Sequence, residues 1–477
     1  MPDDIMPCDA DLIARLSSML PPAALLTGAA IDPRYQEDRR ARFSAPPRFV
    51  IRPSSTAELS AALAACNDAR QRLVIQGGRT GLSGAHRIQP EEAVLSLERM
   101  TGLDAPDPQS RTIVAGSGVP LQRVQDAADG ANLMFGVDIG SRGTATVGGI
   151  IATNAGGNRV IRYGMTRAQV AGLEVVLADG SVLSCMRGLE KDNSGYDLKQ
   201  LFVGSEGTLG VVTRALLTLH AKPQFETNAL LVMPSVEAAM ILLRGLRSKL
   251  GETLSAFEFM TEDIYHGAAA AAGVSDPLAT AGSIYVLAEI QSQQGQEAAA
   301  DPFMECLSDA IEDGLVLDAV IANSMREFLS LWEIRDSCAD YVRRQDNVAS
   351  GDISVPVRRI PDFLDESRRR LLQIDPASRF LTFGHLADGN LHYVFCTTRK
   401  EETVACLMNL VSNFGGTISA EHGIGLDKKH WLPLARSAAE IDTMKRLKIA
   451  LDPNNILNSG RVLDPLSPAG SPRSTAR

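Results

Sequence analysis

The sequence predicts an α+β fold in more than one domain. Three observations carry that prediction. The chain has 477 residues, 45% of them hydrophobic and 22% charged, which is ordinary for a globular protein with room for two or three cores. From about residue 47 to 135 short apolar runs alternate with helical patterns, and residues 138 to 222 are Gly-rich before turning strand-like. After Pro223 the rhythm changes to apolar strands separated by helices, as expected of helices packed on an antiparallel sheet.

The elements follow in order. Residues 9 to 20 read as a short helix ended by Pro21-Pro22. "RFVIRP" is a strand and "STAELSAALAACNDAR" a helix, with Ser55 or Thr56 as N-cap and Glu58 supporting it from the first turn. "RLVIQGG", "EAVLSLERM" and "RTIVAGSGV" are strands. "LEVVLADGSVL" is a hairpin with an Asp-Gly turn, and "GTLGVVTRALLTL" leaves a Gly-rich loop for a long strand. The second domain reads as "ALLVMP", a helix over 235–249, "SAFEFM", "GSIYVLAEIQ", another helix and "LVLDAVIA". A last helix, "AAEIDTMKRLKIALDP", leads to a closing segment, "NNILNSGRVL", and residues 466–477 read as a disordered tail.

A net charge of −10 argues against nucleic acid or an anionic membrane as main partner, because phosphate binding needs a basic surface. There is no apolar run long enough to span a bilayer, and "MPDDIMPCDADLIARL" lacks the apolar core of a secretory signal. Seven scattered cysteines (8, 66, 185, 306, 338, 396, 406) without a CxxC read as reduced thiols, so a cytoplasmic location is expected.

Two of only seven histidines lie in "FGHLADGNLHYVF". If Asp388-Gly389 are the central residues of a two-residue turn, His385 faces His392 with Cβ atoms roughly 5 Å apart. Both rings then reach one ion at roughly 2.1 Å per bond. For the pair alone, a cross-strand polar pair on a solvated face is an equal alternative. In "GGTISAEHGIGLDKK" an apolar strand, "TISA", runs into Glu421 and His422, followed by Gly423 and Gly425. Glu421 would complete two imidazoles and one carboxylate, a set suited to catalytic Zn²⁺ and also to Fe²⁺ or Mn²⁺. His422, pointing to the opposite side of an extended chain, would be free to act as a base.

Three Gly-rich loops fall in the first domain. "LVIQGGRTGLSGA" follows a strand, and glycines there let backbone N–H groups approach a pyrophosphate. It is not GxGxxG and a strand follows it, which disfavours a Rossmann site. "GSRGTATVGGIIATNAGG" offers a small-residue surface for a flat ligand, and "LFVGSEGTLGVVT" places glycines between a helix and a strand.

Together, "PSSTAELSAAL", "QGGRTGLSG", "GTATVGGIIATNAGG", "RYGMTRAQVAGLEVVLADG", "NSGYDLKQLFVGSEGTLG", "GHLADGNLH" and "SAEHGIG" resemble the vanillyl-alcohol-oxidase (PCMH) type of FAD-binding fold. Within it they resemble the D-lactate/D-2-hydroxyglutarate dehydrogenase branch, from about residue 46 to 465. The resemblance implies an N-terminal segment (1–45), a PCMH-type FAD domain (46–223), a cap domain with an antiparallel sheet covered by helices (224–429) and a C-terminal segment returning to the FAD domain (430–465). It implies FAD held at Gly77, Gly78, Arg79, Thr80, Gly81 and Ser83, at Gly143, Thr144, Ala145 and Thr146, at Asn154, Gly156 and Gly157, and flanked by Glu206, Gly207 and Gly210. Relatives with covalent FAD carry a histidine in the first loop, where this chain has Arg79-Thr80, so noncovalent FAD is expected.

By the same resemblance His385, His392 and Glu421 are metal ligands, with zinc favoured over manganese or iron, and His422 is the general base. The implied chemistry is chelation of a D-2-hydroxy acid, proton removal by His422 and hydride transfer to flavin N5. Arg335 in "LWEIRDS" matches a substrate-carboxylate arginine, with a helix-surface arginine as the alternative. Ala339, Ser350 and Val394 stand where hydroxyglutarate-specific members carry Thr, Lys and Asn, so a less polar tail, as in D-lactate, is expected over D-2-hydroxyglutarate. The electron acceptor is left open among an electron-transfer flavoprotein, a quinone and a cytochrome, and a homodimer is left open too. An oxidase using O₂ and a flavin-binding protein without turnover are the competing readings.

Overall fold

The computed structural model describes residues 7–38 and 43–464; the expected tail over 466–477 lies outside them. Three larger sheets organise the chain. The first has Val50–Ile51, Ala93–Ser96 and Leu73–Gln76 in parallel, with Leu25–Leu26 antiparallel on one edge. The N-terminal helix Pro7–Met19 ends before Pro21-Pro22 and buries Leu12 and Leu16 with Leu59 and Leu63 of helix Thr56–Asp68. That second helix starts at Ser55, whose hydroxyl accepts the Glu58 N–H, so of the two capping candidates the structure uses Ser55. The closing segment pairs Leu457 beside Leu73, and with Asn458 on Ile75 and the buried Arg461–Glu92 ion pair it returns the C-terminal end to the N-terminal sheet.

The second sheet is antiparallel, in the order Thr112–Gly116, Val211–Thr218, Val170–Val176, Val182–Cys185. The expected hairpin is present between its last two strands, with Gly180 at φ 88° in the loop.

The third sheet forms the cap. Its order is Asp318–Ile321, Phe225–Met233, Ile284–Ser292, Leu254–Thr261, Phe383–His385, Asn390–Cys396, Val348–Ser354, all antiparallel. Helices Val236–Leu250, Gln296–Glu312, Ile360–Ile374 and Lys400–Asn413 cover one face with an apolar core. Helices Glu262–Ala272, Met325–Asp336 and Cys338–Arg343 cover only part of the other. The central strand Ile284–Ser292 is buried at every position, which is why it reads as a near-continuous apolar run. Its interruptions have partners. Glu289 receives Arg159 of the first domain through two hydrogen bonds of 2.7 and 2.8 Å, and Gln291 accepts from Tyr163. These contacts seat the first domain on the uncovered part of the cap face.

Six described cysteines are free, as expected. No described helix is long and apolar enough to cross a membrane.

Candidate active site

The uncovered cap face carries the polar cluster. Successive rungs of the sheet place Glu258, His385 and Asn390 together, then Phe383, His392 and Asp352, then Val394 with Ser350. Residues two apart along a strand share a face, so all of these look the same way.

The hairpin register differs from the sequence expectation. His385 stands opposite Asn390, and it is Phe383 that faces His392. Leu386 and Ala387 are buried in the helix-covered core, and Leu386 N–H donates to Phe257 O. The turn therefore spans Leu386–Gly389, because burying two apolar residues outweighs closing the tightest loop. His385 and His392 are still diagonal neighbours on one face, with ring centroids 5.3 Å apart.

Two buried acids hold these rings, and neither was singled out from the sequence. Glu258 is fully buried and accepts from His385 Nδ1 at 2.7 Å and from Arg335 Nε at 2.8 Å. Burial opposes the charge on His385, but the Glu258 carboxylate outweighs it and lifts the imidazole to about 9. Asp352 lies 3.5 Å from His392 Nδ1 and 3.5 Å from His422 Nδ1, and its Oδ2 accepts the N–H groups of Glu421 and His422 at 3.0 Å each. Against its own burial, the facing imidazoles and Lys428 hold its carboxyl well below the usual range. The signal for both was present: an acid inside an otherwise apolar strand, in "SAFEFM" and "GDISVP", demands a buried partner.

Two expectations about the second motif are overturned. "TISA" is not a strand; only Thr417 bridges, to Ser354. Nor do Glu421 and His422 diverge. Asp352 draws in both their N–H groups and Gly423 turns at φ 76°, so His422 Nε2 lies 3.8 Å from Glu421 Oε1. His392 Nε2 lies 3.7 Å from the same oxygen. One donor atom each from Asp352, His392, Glu421 and His422 lies within 4.8 Å of the others. The expected ligand His385 is not in that set; its ring centre lies 5.3 Å from that of His392. Burial lowers the His422 imidazole below its ordinary range, which keeps it neutral near pH 7. With Nδ1 of His385 engaged by Glu258 and Nδ1 of His392 facing Asp352, Nε2 is the atom each ring would offer a metal, at His385 in exchange for a proton. The donor set fits a divalent metal.

The glycine loops meet at this cluster. A Cβ at Gly78 would stand 2.0 Å from Thr144 O, and one at Gly77 2.5 Å from Thr146 Oγ1, so the first two loops touch. Gly143 and Thr144 are exposed, Ala145 is buried, and Thr146 caps helix Val147–Thr153. Among the described residues, the N–H groups of Arg79, Thr80 and Gly81 have no hydrogen-bond acceptor, as suits a phosphate cradle. Ser83 is buried and its carbonyl accepts the N–H groups of Leu426 and Asp427. Asn154 sits at φ 51° and spends its side-chain oxygen on Arg167 N–H. Gly157 packs against Asp138 O, and a Cβ at Gly156 would lie 3.4 Å from Glu421 Oε2. Gly207 lies against Asn458 and Gly210 is wedged between Val175 and Phe202. The Glu206 carboxylate turns to the 421–427 loop, accepting from Ile424 N and Gly425 N.

Arg335 is buried, with its guanidinium on Glu258 and 4.9 Å from the Phe383 ring centre. Ser350 and Val394 are direct partners one rung beyond Asp352 and His392. Val394 is buried, whereas Ser350 and Ala339 are exposed.

Glycine loops set against an acid–imidazole face in this way suit a flavoprotein. The chain matches the family described as FAD binding domain over residues 47–186 and FAD linked oxidases, C-terminal domain, over residues 222–462. It is 37% identical over 468 residues to a D-2-hydroxyglutarate dehydrogenase of Xanthomonas citri pv. viticola, covering 95% of this chain and 97% of that one. It is 35% identical over 422 residues to the mitochondrial D-2-hydroxyglutarate dehydrogenase of Bos taurus, covering 87% and 77%. The chain belongs to the FAD-linked oxidase family, in the branch of the D-lactate and D-2-hydroxyglutarate dehydrogenases. Solved structures share its fold: p-cresol methylhydroxylase at TM-score 0.75 and 15% identity, covering 96% and 98%, and the 4-ethylphenol oxidase of Gulosibacter chungangensis at 0.75 and 18%, covering 98% and 99%. The expected α+β PCMH-type fold with a cap is borne out.

Proposed function

We propose that the protein is an FAD- and divalent-metal-dependent dehydrogenase that oxidises a D-2-hydroxy acid to the 2-oxo acid. The observation that carries this reading is the 3.4 Å approach of the Gly156 position to Glu421, which puts the proposed flavin loop and the acid–imidazole cluster in one space. His385, His392 and Glu421 would hold the metal, zinc by preference, with Glu258 and Asp352 orienting the two rings. A metal held there would supply polarisation of the substrate oxygens, and FAD an acceptor for the Cα hydride. His422, neutral and backed by Asp352, takes the hydroxyl proton. Arg335, although paired with Glu258, adds positive charge beside His385 and attracts the substrate carboxylate. The glycine loops bind FAD without a covalent bond, since Arg79 and Thr80 offer no imidazole.

Ala339, Ser350 and Val394 form the distal end of the substrate site in this reading. They supply one hydroxyl, so D-lactate or a longer apolar hydroxy acid is favoured over D-2-hydroxyglutarate. The names of the relatives favour hydroxyglutarate, and the substrate panel separates the two. Anaerobic addition of D-2-hydroxy acids should bleach the flavin, and a panel in which none does so would remove the proposal.

A further inference from the structure

Four backbone N–H groups in the loop that carries Glu421 and His422 are held by two buried carboxylates from different domains. Asp352 of the cap takes those of Glu421 and His422. Glu206 of the first domain takes those of Ile424 at 2.7 Å and Gly425 at 2.9 Å. Glu206 is itself fixed. Its N–H donates to Ala152 O at 2.8 Å, and its carbonyl accepts from Asn458 Nδ2, whose Oδ1 accepts Ile75 N–H from the strand feeding the first glycine loop. It sits at φ 51°, a left-handed conformation unusual for glutamate. A Cβ at Gly423 would lie 2.8 Å from its carboxyl carbon, so the loop wraps the carboxylate closely.

We propose that Glu206 is a positioning residue for Glu421 and His422, acting through the loop backbone rather than on the cofactor. This rests on the function proposed above. Each oxygen of Glu206 accepts an N–H of the loop and the residue is buried, so its carboxylate is directed at the loop. Burial lifts its carboxyl to about 7 while the two N–H groups pull the other way, and such a costly acid is best explained by what it holds. The wrap at Gly423 and the close approach of Gly425 to Ser83 O leave the loop little alternative seating. Without Glu206, two N–H groups lose their acceptors and the Glu421–His422 pair shifts relative to the flavin loop.

The test compares Glu206→Gln, which keeps the size and one acceptor oxygen, with Glu206→Ala. FAD per chain should match the wild type in both. Amide exchange in the 421–427 segment should quicken, more in the alanine variant. Anaerobic flavin reduction by the best D-2-hydroxy acid should slow by on the order of tenfold to a hundredfold in Glu206→Ala and by less in Glu206→Gln. The substrate concentration for half-maximal rate should stay near the wild-type value, which a general loss of structure would not produce. If the alanine variant does not fold, the glutamine variant decides on the same readouts. Reduction as fast as wild type per bound FAD would overturn the role of Glu206 while leaving the function intact. FAD lost in proportion to rate would overturn it too and assign Glu206 to the cofactor. If no hydroxy acid reduces even the wild type, the function falls and this role with it.

Discussion

Replacing Asp352 with Asn should weaken metal binding without disturbing FAD. Asp352 Oδ2 holds the N–H groups of Glu421 and His422 at 3.0 Å each, while Oδ1 faces His392 Nδ1 at 3.5 Å. Asparagine retains one oxygen. If that oxygen stays on the two N–H groups, the amide NH₂ faces His392 Nδ1. That nitrogen must then present its lone pair, which moves the ring proton to Nε2, the atom facing Glu421 at 3.7 Å. A donor is thereby lost from the proposed metal site unless the loop or the ring shifts. Losing such an outer partner costs about tenfold to a hundredfold in affinity, or about 1.4 to 2.7 kcal/mol. Metal-stripped, FAD-loaded protein titrated with Zn²⁺ against a chromophoric chelator measures this directly, with His392→Ala as the full-loss reference. Wild-type affinity in Asp352→Asn, alongside lost binding in His392→Ala, would refute the reasoning.

Further outcomes follow from the same geometry. Glu258→Ala leaves the buried Arg335 guanidinium without its carboxylate and should cost about 3 to 5 kcal/mol in urea unfolding; an unchanged midpoint would mean that the arginine finds water. Acid precipitation should release the flavin into the supernatant, and yellow colour kept in a washed pellet would show a covalent link. D-Lactate or an apolar D-2-hydroxy acid should exceed D-2-hydroxyglutarate in kcat/KM with a dye acceptor, and a tenfold preference the other way, about 1.4 kcal/mol, would show that cations such as Arg343 or Arg344 reach the tail. The Thr397 hydroxyl, then the Thr398 N–H, hold the Asp375 carboxyl down to about 2. Its folded pKa lies below the unfolded value of about 3.9, so its contribution to stability is present above that pH and is lost as pH falls toward 2. Asp375→Asn should flatten that limb of the stability profile, measured by thermal unfolding across acid pH.

Most of the cap was legible because its strands and helices are set by local periodicity. The run Ile284–Ser292 and the helix over 236–250 each depend on residues within one or two turns of themselves. His385, His392, Glu421 and His422 were legible as chemistry because scarce imidazoles and an acid stood beside glycines. The sequence could not determine which atoms they present to one another. The hairpin register depended on where Leu386 and Ala387 are buried, and that core is built by helices from elsewhere in the chain. Asp352 reaches Glu421 across 69 residues and Glu258 reaches His385 across 127. Pairing at such separations is decided by sheet order and by the burial of charge, neither of which leaves a local pattern. The side-chain types in the site were written in the sequence. Their facing, and the two carboxylates that hold the Glu421–His422 loop, were settled only by the tertiary structure, which buries Asp352 and Glu206 where the N–H groups of that loop are their partners.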